Sequence, residues 1–205
     1  MKNYILIFLS ILSINLLSSQ NLKDVLNKKS YPIDFVGLDF SSAKFIGPID
    51  EYAETGRLKN EFIPNWNYLF ASQNEKFNIE KEFNKSNVNY IIENMTGINA
   101  MIEESYMYSL LPFKPFSSEK LKNIVRRYSN FEYQNEVGLS LVVHSFDKPS
   151  KSATIYVVWF NTKTFEVIKS IKRRVKPKGF GFRNYWAGAI YYSIKNMKKV
   201  IKKLI

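Results

Sequence analysis

The sequence predicts an α/β fold: a single-domain mixed-sheet sandwich with a C-terminal antiparallel three-strand meander and a terminal amphipathic helix. Three observations predict it. Apolar alternation near the start marks a first strand, helical periodicity follows it, and the last third carries three β-patterned runs joined by short turns.

The elements follow in order. Ile33 to Ile46 opens with a partly β-branched alternation, and Phe35-Val36-Gly37-Leu38-Asp39-Phe40 reads as a buried first strand ended by Gly47-Pro48. Asp50 to Phe62 is helical in character. Pro64 is expected to start a second helical piece, because inside a helix proline loses a bond and clashes. Trp66, Leu69 and Phe70 then share one face at i, i+3, i+4 spacing. Ile79 to Phe83 reads as a short helix and Val88 to Ile92 as a second strand, while Ile98 to Leu111 has no clean period and Pro112 and Pro115 bend the chain. Ser117 can cap a helix to Tyr128 whose apolar stripe is Leu121, Ile124 and Val125. Leu139 to Phe146, Ala153 to Phe160 and Phe165 to Arg174 then form the three meander strands, the last two joined by the turn Asn161 to Thr164. Projected at 100° per residue, Trp186, Ile190, Ile194, Met197, Ile201 and Leu204 fall on one face of a final helix. Lys195, Lys198, Lys199, Lys202 and Lys203 fall on the other.

Residues 1–19 carry Lys2, an apolar run from Tyr4 to Leu17 broken by Ser10, Ser13 and Asn15, and then Ser18-Ser19. This is the pattern of a cleaved secretory signal peptide, shorter than a membrane-spanning helix. Residues 20–205, about 185 in number, fit one domain with a sizeable core. The expected location is the periplasm or the medium. With no cysteine in the chain, a lipoprotein anchor, disulfides and thiolate metal sites are excluded.

The chain carries a formal net charge of +12. From Lys163 onward it holds thirteen Lys and Arg residues against Glu166 alone, so the positive balance is concentrated there. Such asymmetry points to an anionic partner. Two groups of residues form the candidate anion- or partner-binding site. The first is the loop of Lys176, Lys178, Gly179, Gly181 and Arg183 before the last helix, where free N–H groups and the helix dipole favour negative charge. The second is the lysine face of Lys195, Lys198, Lys199, Lys202 and Lys203 on that helix, with peripheral contact to an anionic membrane as one use. The competing structural reading has the glycines permitting tight turns while Phe180, Phe182, Tyr185 and Trp186 plug the end of the core.

Lys178-Gly179-Phe180-Gly181-Phe182-Arg183-Asn184-Tyr185 is similar to the first ribonucleoprotein signature of RNA-recognition domains. Arg183 replaces its aliphatic residue, and too little chain follows for the helix and strand that the domain requires. No nucleic-acid partner is therefore expected. His144 is the single histidine and sits in a strand, so neither a nucleophile–histidine triad nor a common zinc site is expected. Asp34 and Asp39 flank the first strand, and Asp39 is expected to bond backbone groups where that strand ends. No catalytic residue, metal or cofactor is assigned.

Two resemblances bear on function. Val36 to Ser41 and Gly179 to Gly188 resemble segments of uncharacterised secreted Bacteroidetes proteins. The order of first strand, long helix, Tyr156 to Ser170 hairpin and final helix is similar to the periplasmic α/β domains of TolB (N-terminal), LpoB and the curli secretion factor. The second likeness implies an envelope adaptor or assembly role without catalytic residues. The expectation is a non-enzymatic binding or assembly module whose partner is a protein or an anionic envelope component. The alternative is an enzyme or binder acting on an anionic small molecule at the glycine-rich loop, with Asp39, Lys178 and Arg183 converging.

Overall fold

The computed structural model describes residues 22–52 and 56–204, so the leader expected at residues 1–19 lies outside the described residues. The protein is mixed α/β with a seven-stranded sheet. The strands are β1 (Ile33–Asp39), β2 (Lys44–Ile46), β3 (Val88–Tyr90), β4 (Tyr108–Ser109), β5 (Val137–Asp147), β6 (Ser152–Asn161) and β7 (Val167–Val175). β5 is the axis of the sheet. Along one edge it pairs in parallel with β1 and, further on, with β2. Along the other it pairs antiparallel with β6, which pairs antiparallel with β7. β3 and β4 flank β1 and β2, again in parallel.

After a helical stretch over residues 22–27 come α1 (Ile63–Ser72), α2 (Ile79–Phe83), α3 (Ile92–Ala100), α4 (Ser118–Val125), α5 (Gly181–Ile194) and α6 (Met197–Lys202). They cover both faces of the sheet. α1, α2, α5 and α6 enclose the larger core, where Phe35, Phe40, Trp66, Phe146, Trp159 and Trp186 are buried. α3 and α4 enclose a smaller one of Val36, Met95, Ile124, Tyr128, Val142 and Phe160. This explains why β5 and β6 are buried along nearly their whole length: with both faces covered, the in–out alternation of a half-solvated strand disappears.

Local chemistry accounts for the element ends. Ser117 accepts a hydrogen bond from the Lys120 N–H at 3.1 Å and caps α4. Pro64 is the second residue of α1, but the chain before it is already helical, and the π-helical turn over Leu58–Phe62 widens the backbone just ahead of the proline. β3 ends at Tyr90, so the outer edge of β1 beyond Phe35 lacks a strand partner. Two helix asparagines replace it. Asn67 bonds both the N–H (2.7 Å) and C=O (3.0 Å) of Leu38, and Asn99 accepts from the Phe40 N–H at 2.9 Å and donates to the Leu38 C=O at 2.9 Å.

The structure corrects the C-terminal helix. It is two helices, not one, because Lys195 has ψ 129° and Asn196 has φ 61°, a left-handed conformation that asparagine tolerates. The buried carboxylate of Glu82 accepts the Asn196 N–H and stabilises the break. Ile194, Met197 and Ile201 are still buried, but Leu204, placed on the apolar face by projection, is exposed.

Candidate functional site

The loop between β7 and α5 folds back along the helix it precedes. A Cβ on Gly188 would lie 1.9 Å from the Lys178 carbonyl oxygen, so the strand-like segment and the helix touch backbone to backbone. Gly179 has φ +154°, and a Cβ there would lie 2.3 Å from the Asn184 carbonyl oxygen. The first turn of α5 is pinned to α1 by Trp66, whose Nε1–H donates to the Arg183 carbonyl at 3.0 Å. Trp186 stacks on Phe146 with 4.5 Å between ring centroids, and Phe182 packs against Phe62 at 4.8 Å. Phe182, Tyr185 and Trp186 thus close the end of the larger core. Phe180 does not: its side chain is 95% exposed at the tip of the loop.

Under this loop lies a cavity of about 370 Å³ walled by Gly179, Gly181, Phe182, Tyr185 and Trp186. Lys148 and Lys151, from the turn between β5 and β6, complete the wall together with Glu51. Lys148 pairs with Glu51 at 3.3 Å, which leaves Lys151 as the second cation beside the glycines. Sequence reading missed both lysines because only the fold brings their turn beside the loop.

The two predicted groups of cations are joined on the surface by tyrosines. Lys178 lies over the Tyr192 ring at 5.8 Å from Nζ to centroid, and Lys195 lies over both Tyr191 (5.3 Å) and Tyr192 (5.7 Å). Lys76, from the turn after α1, lies over Tyr191 at 5.5 Å and over Phe77 at 5.4 Å. The result is an alternating run, Lys76–Tyr191–Lys195–Tyr192–Lys178, held by the attraction of ammonium groups for ring faces. Arg173 buttresses it from β7 by donating to the Ser193 carbonyl at 3.1 Å, and burial lowers its pKa. Beyond the helix break, Lys198, Lys199, Lys202 and Lys203 are all exposed on α6 and its last turn. Among the described residues, none of the site lysines 176, 178, 195, 198, 199, 202 and 203 forms an ion pair, nor does Arg183. Lys176 is exposed beside β7, and Arg183 is half-buried in the first turn of α5.

The carboxylates and the histidine take structural positions. Asp39 accepts from the Ser41 N–H at 2.6 Å, as expected of a residue at the strand end, and also from Tyr128 Oη at 2.6 Å. That bond places its carboxylate on the α3–α4 face, whereas Phe182 and Trp186 beside Arg183 pack into the opposite core. Asp39, Lys178 and Arg183 therefore do not converge in one pocket. Asp34 accepts four hydrogen bonds from Asn89, Gln134 and Asn135. His144 is stacked on Phe113 at 4.1 Å and bonds Ser145 Oγ and the Lys114 carbonyl, and burial depresses its pKa. Among the described residues no group of histidine, aspartate and glutamate side chains is placed to hold a metal ion. A wider cleft of about 730 Å³ between α1 and α3 carries Glu80 and Glu93 on its wall and no basic residue, so it does not suit an anion.

No family model and no curated protein matches the chain. Among solved structures, a Xanthomonas campestris protein of the DUF330 family matches over 87% of this chain and 84% of its own, at 8% identity and a TM-score of 0.31. Among the described residues no helix is long and apolar enough to cross a membrane.

Proposed function

We propose that the protein is an exported, non-enzymatic binding or assembly module that engages an anionic component of the cell envelope through its basic C-terminal face. The observation that carries this reading is the continuity of the face. The loop cations and the helix cations, separate in sequence, meet over Tyr191 and Tyr192 and face no carboxylate in an ion pair. A patch of this kind attracts polyanions and anionic bilayers at long range. The exposed Phe180 beside it supplies an apolar group for the interfacial region of a bilayer.

The test is co-sedimentation of the purified protein with vesicles of phosphatidylglycerol and phosphatidylcholine. Reversing charge at Lys198, Lys199, Lys202 and Lys203 together (K198E/K199E/K202E/K203E) is expected to weaken binding by more than about tenfold, each lysine near such a surface contributing on the order of 1 kcal/mol. Unchanged sedimentation of that variant would rule the reading out. The cavity under the glycine loop favours a second reading, capture of a small organic anion by Lys151 and the loop N–H groups. In that case Lys151→Ala would abolish ligand binding while leaving vesicle binding intact.

A further inference from the structure

The chain contains a second, separate convergence of cations. Along one edge of β5, β1 and then β2 pair in succession, and residues Phe40 to Ala43 carry the chain between them. Residues Ser41 to Ala43, which carry the chain from β1 to β2, form the floor of a cavity of about 270 Å³. Phe113, Phe116 and Tyr106 contribute aromatic walls; Lys120 and Arg127 contribute two cations from the helical run 118–128, and Lys44, which also donates to the Tyr106 carbonyl, contributes a third from β2.

Several features distinguish this crevice from a solvated charged surface. Ser41 Oγ is shielded from solvent and has no hydrogen-bond partner, a state that buried hydroxyls seldom keep. Lys120 is half-buried, and its pKa is lowered first by that burial and then by the charge of Arg127, with Asp39 acting the other way. Asp39 is the carboxylate at this end of β1, and both its oxygens are already engaged, by the Ser41 N–H and Tyr128 Oη. Three cations against one engaged carboxylate leave a positive excess where water is partly excluded, and there a charge-assisted hydrogen bond is strongest. The Phe113 wall is fixed by its stacking on His144.

We propose that this crevice binds a small organic anion, with Lys44, Lys120 and Arg127 holding a phosphate or carboxylate group and Phe113 and Phe116 packing on an attached ring or other apolar part. The volume lies just below the roughly 300–1,000 Å³ typical of sites for drug-sized ligands, which restricts the occupant to a few atoms beyond the anionic group. Nothing in this site overlaps the C-terminal face.

The experiment is an amide NMR titration of the purified protein with phenyl phosphate and, separately, with inorganic phosphate. Phenyl phosphate is expected to give saturable shifts at Ser41, Ser42, Ala43 and Lys44 with a Kd of about 1 mM or tighter, and to bind more tightly than inorganic phosphate. Lys120→Met, which keeps the apolar stem, and Arg127→Gln are each expected to weaken it by about tenfold. Absence of saturation at residues 41–44, shifts confined to residues 176–203, or equal affinity for the two probes would each overturn the proposal. The wild-type shift pattern decides it even where a variant does not fold.

Discussion

The two groups of cations differ in their surroundings more than in their number. Those of the C-terminal face are mostly exposed to water, two of them, Lys178 and Lys195, over tyrosine rings, and none is ion-paired with a carboxylate among the described residues. Those at the end of β1 stand in a crevice, one of them half-buried, around a carboxylate whose oxygens are taken. The first arrangement acts through the summed field, so it is unselective and screened by salt within about 8 Å at physiological ionic strength. The second acts through geometry and desolvation, so salt weakens it less and the shape of the ligand matters.

Breaking one group without the other tests the contrast. The largest effect is expected at Gly188. Alanine there places a methyl group against the Lys178 backbone, and the loop must leave the helix; overpacking of this kind costs about 1–3 kcal/mol. Urea denaturation of Gly188→Ala should show that loss. Vesicle binding should fall as Lys178 parts from Tyr192, while phenyl phosphate binding at the crevice persists.

A third kind of lysine sharpens the comparison. Lys85 is buried and donates to the Val25 and Lys28 carbonyls at 2.6 and 2.9 Å, closing the C-terminal end of the helical segment 22–27. Burial pulls its pKa from 10.5 down to about 8. Between those values the unfolded chain holds a proton that the folded chain has released, so stability should rise with pH across that window. Lys85→Met should abolish the rise and speed amide exchange at residues 22–28, leaving both anion sites intact.

The smallest effect concerns the crevice wall. The pKa of His144 is depressed below 6.5 by burial, with the charge of Lys172 acting in the same direction and the Lys114 carbonyl opposing. On acidification the unfolded state takes up this proton first, so stability should fall as pH drops below about 6.5. The fall ends once the folded-state pKa is passed. His144→Gln should show a shallower acid limb in thermal denaturation than the parent, with the C-terminal face unaffected.

Local signals made much of the fold legible before the structure. The β1 pattern, the Ser117 cap, the Ile79–Phe83 helix and the Trp66, Leu69, Phe70 face each depend on neighbours within a turn or a strand, and each is present. The features that escaped depend on distant partners. The break at Asn196 rests on Glu82, 114 residues earlier. The continuous burial of β5 follows from helices on both faces, which its alternation did not announce. In the candidate site the basic run was visible as composition, but the tyrosine link through Lys76, the contribution of Lys148 and Lys151, and the exposure of Phe180 required the fold. The crevice was invisible for the same reason, since Lys44, Lys120 and Arg127 share no motif.

The most direct test of the central claim is the salt dependence of wild-type binding to anionic and to neutral vesicles. Binding to phosphatidylglycerol vesicles should be strong at about 10 mM ionic strength, where the Debye length is about 30 Å, and should collapse towards about 1 M, where it is about 3 Å. Neutral vesicles should not sediment the protein at any salt concentration. Equal binding to both vesicle types, or binding to anionic vesicles that salt leaves unchanged, would contradict the assignment of the C-terminal face as an electrostatic docking surface.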